Sequence, residues 1–373
     1  MRYFNLLLTA VIGLNTASVL FGAELIVKPN GIMLHCITDW EQADSIDVFD
    51  RGGVTTIDPL SYSAQYTYEY DSFCINSGYR INYKGGFSGP YIDLSHLCFQ
   101  KDEDIFRFAY ISDSQEFPDE YEKTLNYIDK LRSDYQDLRM ILHGGDYSHK
   151  GNESSWQLYR EKTMKITSQK LPILPVLGNH EYWDDPDINF YRKVFADSAP
   201  EGAYFKMYDF NLFVLIVLDS NDDKRSPEQR QAQDTWFENT LSAMKNDHRR
   251  VIVAFHHPTF TSGIGVIFTP HDPEYVREHW IPLIEKYEVP LVLTAHEHVY
   301  ERLVKNNVNY LVSGPAGGKR SPAGFKSKYS VKKISRTRTV TIISVHRDGM
   351  IELNIYSSDN DLEIDQLKIN PSL

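Results

Sequence analysis

The chain has 373 residues, with 39 Lys and Arg against 51 Asp and Glu, a formal net charge of −12. That length exceeds one ordinary hydrophobic core, so two domains are expected. The negative balance argues against nucleic acid as a delocalised electrostatic partner, which needs clustered cations, but not against a small phosphorylated ligand held at a metal.

Residues 1–23 begin Met1-Arg2, run through Leu6-Leu7-Leu8 to Leu14, and end among Ala17, Ser18, Gly22 and Ala23. A basic start, an apolar stretch and small residues describe a secretory signal peptide, so a secreted or periplasmic protein is expected; an uncleaved anchor is the competing possibility. No other stretch could span a bilayer, so no integral membrane segment is expected in the mature chain. Cys36, Cys74 and Cys98 permit one disulfide in an exported chain and leave a thiol over. None has a CxxC spacing, and cysteine chemistry is not expected.

Residues 24–100 are β-rich. Leu25-Ile26-Val27, residues 31–36, 65–70 and 79–83 are short alternating runs separated by Gly, Pro, Asp and Ser. That spacing suggests a small antiparallel sandwich domain, its tyrosines packing across strands. The period changes after Arg107. Phe108-Ala109-Tyr110-Ile111 reads as a strand, followed by a helical stripe at Tyr121, Leu125, Ile128 and Leu131. A helix at 154–169 and a strand at 172–177 repeat the alternation, and 210–218 is apolar enough for a central strand. Ser226-Pro227-Glu228 opens another helix, with a capping residue and Pro at the first position. Strands at 251–255 and 291–295 flank a helix over 273–287, and strands at 339–345, 350–356 and 363–369 close the chain. Alternating elements finished by antiparallel strands imply a layered α/β fold over 101–373, with two sheets in the middle. Residues 314–333, rich in Gly, Pro, Ser and Lys, are expected to be a mobile surface loop.

Five apolar runs end in polar residues of one kind. They are Asp113-Ser114-Gln115, Gly145-Asp146, Gly178-Asn179-His180-Glu181, His256-His257-Pro258 and His296-Glu297-His298. A single His after a strand is more often structural than a ligand. Five such blocks are hard to attribute to packing. In open α/β sheets ligands bind beyond the carboxyl ends of strands, so these carboxylates, amides and imidazoles are expected in one crevice as a metal site.

These blocks resemble the calcineurin-like metallophosphoesterase superfamily, whose pattern runs Asp-x-His, Gly-Asp, Gly-Asn-His-Asp/Glu, His and Gly-His-x-His. The likeness spans roughly residues 105–315, and His296-Glu297-His298-Val299-Tyr300-Glu301-Arg302 is similar to the purple acid phosphatases and their bacterial relatives. Those relatives carry a fibronectin type III-like sandwich ahead of the catalytic domain, which would match residues 24–100. The resemblance implies a hydrolase of phosphate esters with two divalent metals about 3.5–4 Å apart, drawn from manganese, zinc, iron or magnesium. One metal would be held by Asp113, Gln115, Asp146 and His298, the other by Asp146, Asn179, His256 and His296, with Asp146 bridging. Attack would come from a hydroxide bridging the metals. His180 would be the general acid, Glu181 would orient it, and His257 and His271 would contact phosphate oxygens. Tyr300, Glu301 and Arg302 are expected to be structural.

Three positions depart from the pattern. Gln115 replaces a His, putting a neutral amide oxygen in the first half-site. Ala295 replaces a Gly, which is tolerable if the backbone there avoids positive φ. His149 occupies the place of the tyrosine that colours purple enzymes, so no purple colour is expected; His149 either ligates the first metal, supports His180 or is a solvated loop residue. The alternatives to a secreted phosphatase or phosphodiesterase are a metal-depleted binding protein on the same scaffold, and an adhesion or carbohydrate module at 24–100 with a helper enzyme.

Overall fold

The computed structural model describes residues 23–28, 31–36, 43–57, 64–69, 77–84, 86–88, 91–97, 103–167, 170–195, 204–264, 273–322, 324 and 326–371. Residues 1–22, where a signal peptide is expected, and Cys74, Cys98 and His271 lie outside the described residues.

Two sheets form the centre. The larger has nine strands in the order Leu362–Ile369, Ile351–Ser357, Thr339–His346, Ile105–Ile111, Leu138–His143, Ile173–Pro175, Ala23–Lys28, Gly31–Cys36 and Ala64–Glu69. The second has seven: Lys206–Asp209, Val214–Val217, Val251–Ala254, Leu291–Thr294, Val308–Val312, Tyr300–Lys305 and Ser330–Ile334. The middle strands of each sheet are parallel. Parallel neighbours need crossovers, which are supplied by the helices Pro118–Leu131 and Glu153–Thr167 on one side and Pro227–Asn246, Pro273–His279 and Ile281–Lys286 on the other.

Strand periodicity sorts the core into three apolar layers. Phe106, Phe108 and Tyr110 point between the sheets, where they meet Phe213, Leu215 and Leu293. Ala109 and Ile111, the alternate residues, pack with Tyr121, Leu125, Ile128 and Leu131 of the first helix. Val214, Ile216 and Val253 likewise face Phe237, Leu241 and Trp280 on the far side. A strand buried on both faces reads as a continuous apolar run, which explains the character of these segments. Ser226 caps its helix as a full capping box: Oγ accepts from Gln229 N at 3.3 Å, and Ser226 N donates to Gln229 Oε1 at 2.8 Å.

The structure departs from the sequence-based expectations in four places. The apolar stretch 210–218 holds a hairpin turn with Asn211 at φ 64°, so only Val214–Val217 is the parallel strand and Lys206–Asp209 pairs back on it. The helix over 273–287 is two helices, because Pro282 cannot donate a backbone hydrogen bond just past Trp280. An additional β unit is present before residue 100, but that stretch is shared. Ala43–Asp50, Gly53–Ile57, Gly78–Tyr83 and the short strands Phe87–Ser88 and Ile92–Asp93 form a separate antiparallel sheet. Ala23–Lys28, Gly31–Cys36 and Ala64–Glu69 instead extend the large sheet, with Ile26 opposite Ile173. Lys28 Nζ also donates to Phe195 O at 3.0 Å, tying this edge to the helix Asn189–Val194. Finally, residues 314–318 are buried rather than a mobile loop, and 330–334 is an edge strand.

Phe213 stacks on Phe108 at 5.7 Å and meets Phe106 edge-on at 5.4 Å, between the two sheets. Phe213→Ala is expected to cost about 3–5 kcal/mol, read in urea as a lower midpoint with an unchanged slope.

Candidate metal centre

The parallel strands of both sheets deliver their carboxyl ends to one rim. Past Ile111 comes Asp113, past His143 comes Asp146, past Pro175 comes Asn179, past Ala254 comes His256, and past Thr294 come His296 and His298. Four of these donors have left-handed backbone: Asp113 at φ 52°, Asp146 at 58°, His296 at 71° and His298 at 52°. Each such residue costs about 1–3 kcal/mol, a strain that persists only where the surroundings impose it. The turn folds each side chain back over its strand end. Ala295 is absent from the positive-φ residues, so the Gly-to-Ala change costs nothing there. Close approach does demand glycine at Gly145 (φ 99°), where a Cβ would lie 2.8 Å from His256 Nδ1, and at Gly178, where it would lie 2.3 Å from Asp146 Oδ1.

The donors form two half-sites that share Asp146. In the second, His256 Nε2 lies 3.3 Å from Asp146 Oδ2 and 3.2 Å from Asn179 Oδ1, while His296 Nδ1 is 2.9 Å from the same Asn179 oxygen. His256 Nδ1 faces Gly144 O at 2.7 Å; donating there leaves the Nε2 lone pair directed into the site. In the first half-site, His298 Nε2 lies 3.6 Å from Asp113 Oδ1, and Gln115 Nε2 sits 3.0 Å from His298 Nε2 and 3.3 Å from Asp146 Oδ2. His298 Nδ1 is tied to Lys319 O at 2.7 Å. The bend at 296–298 thus sends the two imidazoles of the His-x-His pair into different half-sites.

These donors fit a cation. Gln115 Oε1 is buried without a hydrogen-bond partner among the described residues, and turning the amide over would aim that oxygen between Asp146 and His298. Ligand atoms of Asp113, Asp146 and His256 lie within 4.8 Å of one another, as do those of His256, His257 and His296. Electrostatics point the same way. Burial would drive protons off His256 and His298, yet Asp146 and Asp113 beside them raise each to about 9. Burial likewise opposes ionisation of Asp146, but His256, His180 and His296 outweigh it and hold that carboxyl well below the usual range. The pocket requires positive charge.

The remaining residues assigned from sequence divide. His180 Nδ1 is fixed on His149 O at 2.8 Å and its ring meets Trp183 edge-on at 4.7 Å, leaving Nε2 3.8 Å from Asp146 Oδ2. His149 supports His180 through its carbonyl; its own ring is exposed, 5.6 Å from that of His180. Glu181 does not orient His180. Both its oxygens are engaged by backbone: Oε2 accepts from Asp146 N at 3.1 Å and Gly178 N at 2.9 Å, and Oε1 from Tyr147 N at 2.9 Å. Complete burial and the nearby Asp146 push its carboxyl up to about 8. His257 packs 4.7 Å from the His296 ring, with Nδ1 on Ser220 Oγ at 2.9 Å. Tyr300 and Arg302 bond Asp365, and Glu301 holds the loop at Thr261 and Ser262.

Sequence reasoning gave no role to His143, Ser114 or Ser220. His143 stacks on Tyr147 at 4.1 Å, with Nε2 3.0 Å from Ser114 Oγ, which itself donates to Tyr147 O at 2.9 Å. Burial pushes this imidazole down to about 3, so it is a neutral prop behind the loop. Its signal was visible as a lone His closing an apolar strand.

A two-sheet sandwich flanked by helices, with carboxylate, amide and imidazole donors converging at the strand ends, defines a phosphoesterase scaffold of the metal-dependent kind. The chain belongs to the calcineurin-like phosphoesterase family, whose model matches residues 106–300. Among curated proteins it is similar to "Probable inactive purple acid phosphatase 24" of Arabidopsis thaliana, 26% identical over 51% of this chain and 33% of that protein. It is also similar to a Danio rerio serine/threonine-protein phosphatase, CPPED1 (24% identical, 55% of this chain and 69% of that one), and to a Hordeum vulgare nucleotide pyrophosphatase/phosphodiesterase (24%, 51% and 55%). The match thus spans a third of the Arabidopsis relative and just over half of the barley one. Among solved structures the fold is shared with purple acid phosphatase PPD1 of Lupinus luteus, at a TM-score of 0.70 and 14% identity over 93% of this chain and 74% of that one. PhoD gives 0.65 at 13% identity, over 96% and 94%.

Glu181→Ala is expected to lower thermal stability, since each buried N–H left without an acceptor costs about 1–3 kcal/mol. The same variant should retain less metal, because the loops carrying Asp146 and Asn179 lose their common anchor; Glu181→Gln, which keeps one oxygen, should be milder. Elemental analysis and a melting curve check both.

Proposed function

We propose that the protein is an exported, dinuclear metal-dependent hydrolase of phosphate esters. The observation that carries this is the convergence of Asp113, Gln115, Asp146, Asn179, His256, His296 and His298 at one rim, with four of them held in left-handed backbone. Export is supported by the leader-like composition of residues 1–23. Among the described residues no helix is long and apolar enough to cross a membrane.

Asp113, Gln115, Asp146 and His298 would hold one divalent cation, and Asp146, Asn179, His256 and His296 the other. Such a pair supplies activated water and charge withdrawal from the phosphoryl group. The chain's own residues do the rest. His180, fixed through Nδ1 on His149 O, presents Nε2 toward the centre and gives its proton to the departing oxygen. Trp183 limits its ring to that orientation. His257, anchored on Ser220, is the side-chain donor for a phosphoryl oxygen. Glu181 keeps the two ligand loops in register without touching substrate.

A second possibility, a non-catalytic binder on the same scaffold, is favoured by Gln115 at a His position and by the word "inactive" in the Arabidopsis relative's name. Hydrolysis of chromogenic phosphomonoesters and phosphodiesters after loading with manganese, zinc or magnesium decides between them: folded protein without turnover in any metal favours the binder. Asp146→Ala should lose both metals and nearly all activity; two metals retained by elemental analysis would contradict a bridging carboxylate. His180→Ala should keep its metals and slow turnover by about 10²–10⁴-fold on alkyl esters. Activated aryl esters, whose leaving groups need no proton, should suffer far less. Equal damage on both would remove the acid role.

A further inference from the structure

Residues 319–338 hold eight Lys and Arg and no Asp or Glu, in a chain whose net charge is −12. The run starts at the metal centre. Gly317 N and Gly318 N donate to Asp113 O at 3.0 and 2.8 Å, and Lys319 O holds His298 Nδ1. It returns there too: Ser321 N donates to His298 O at 3.2 Å, and Arg336 N to Ser321 O at 3.1 Å. Between these points the chain forms the edge strand Ser330–Ile334, with Ile334 opposite Tyr300 and Ser330 opposite Leu303. The strand therefore leads away from His298 for about 17 Å, at about 3.3 Å per residue.

Lys319, Arg320, Lys326, Lys328, Lys332 and Arg336 are exposed. Arg320 faces Asp359 at 3.5 Å, and buried Arg338 is spent on Asp359 and Glu120. Glu116 lies beside the start of the run, where Oε2 accepts from Lys319 N at 2.6 Å. Lys326, Lys328, Lys332 and Arg336 have no carboxylate partner among the described residues. Lysines on an edge strand commonly guard against edge-to-edge pairing. That accounts for Lys332 and Lys333, but not for the cations that lie off the strand.

We propose that residues 319–338 are a docking track for an acidic polypeptide segment, which delivers a phosphorylated side chain to the metal centre. This deepens the proposed function and rests on it. The outer edge of Ser330–Ile334 has no strand partner among the described residues, so an extended peptide finds main-chain donors and acceptors there and lysines beside them. Single-stranded nucleic acid would want stacking platforms. Tyr329, the aromatic ring described on the track, is instead packed on Phe260 at 5.1 Å and under Lys328. A membrane would want an apolar wedge, where the strand exposes a single Val331.

The test uses the full chain and two fluorescent peptides, each with one central phosphoserine, flanked in one by Glu and in the other by Gln. Anisotropy should show the Glu peptide binding about tenfold tighter at low salt, the gap closing at high salt. K326Q/K328Q/K332Q should narrow that gap, and K326E/K328E/K332E should abolish or invert it. Equal binding of the two peptides, or a gap unchanged in both triple variants, overturns the proposal. So does an oligodeoxynucleotide or a phosphatidylserine vesicle that binds more tightly than the Glu peptide. Hydrolysis of a small chromogenic ester is measured separately. Peptide discrimination without ester turnover removes the catalytic assignment and leaves the track; turnover without discrimination does the reverse.

Discussion

The peptide at Asp146 is the junction on which the site depends. Its carbonyl accepts from Ser114 N at 2.9 Å and Gln115 N at 3.3 Å, so the first ligand loop hangs from it. Its N–H is held by Glu181, and its Oδ1 accepts from His180 N at 2.9 Å, so the loop carrying Asn179 is bound to the same residue. The carboxylate then has one direction left, between the two half-sites. Left-handed backbone makes this possible, since an extended residue there would turn the side chain along the strand.

Such a junction is costly. A rim of strained backbone, buried carboxylates and buried imidazoles contributes little to stability without a cation and requires a scaffold that over-determines it. The two-sheet core is that scaffold. Phe106, Phe108, Leu142, Leu215 and Leu293 lie in one buried apolar layer between the sheets, so the strand ends cannot shift independently. Stability and chemistry are thus divided along each strand: apolar residues lock its body, and the donors sit two to four residues past its end.

The strand-end positions of these donors were legible in the sequence because this division is local. An apolar run and a polar donor fall within a few residues, twice with a Gly between them, and the five blocks made a pattern. Roles that depend on distant pairing were not legible. Glu181 looks like a partner for its neighbour His180; only the fold shows its oxygens saturated by amides, two of them 34 and 35 residues away. The strand Ala23–Lys28 was readable as a strand, but a period of two says nothing about its pairing with Ile173 in the catalytic sheet. Net charge hid the opposite fact: a chain of −12 still gathers a fifth of its cations into residues 319–338.

The Gln115 substitution can be weighed by charge and hardness. A neutral amide stands where the family pattern has a neutral imidazole, so the formal charge of the first half-site would be unchanged: Asp113 and a share of Asp146 would still balance a cation. What changes is the donor atom. With its amide turned over, Gln115 would add oxygen to that of two carboxylates and leave His298 as the single nitrogen, whereas the second half-site would offer two imidazoles with Asn179 and Asp146. Oxygen-rich sets suit harder cations and imidazole-rich sets suit zinc-like ones. On that assignment the two half-sites would differ in kind, and the first would be tuned without being dismantled, since the backbone that carries Gln115 is anchored through Asp146 either way.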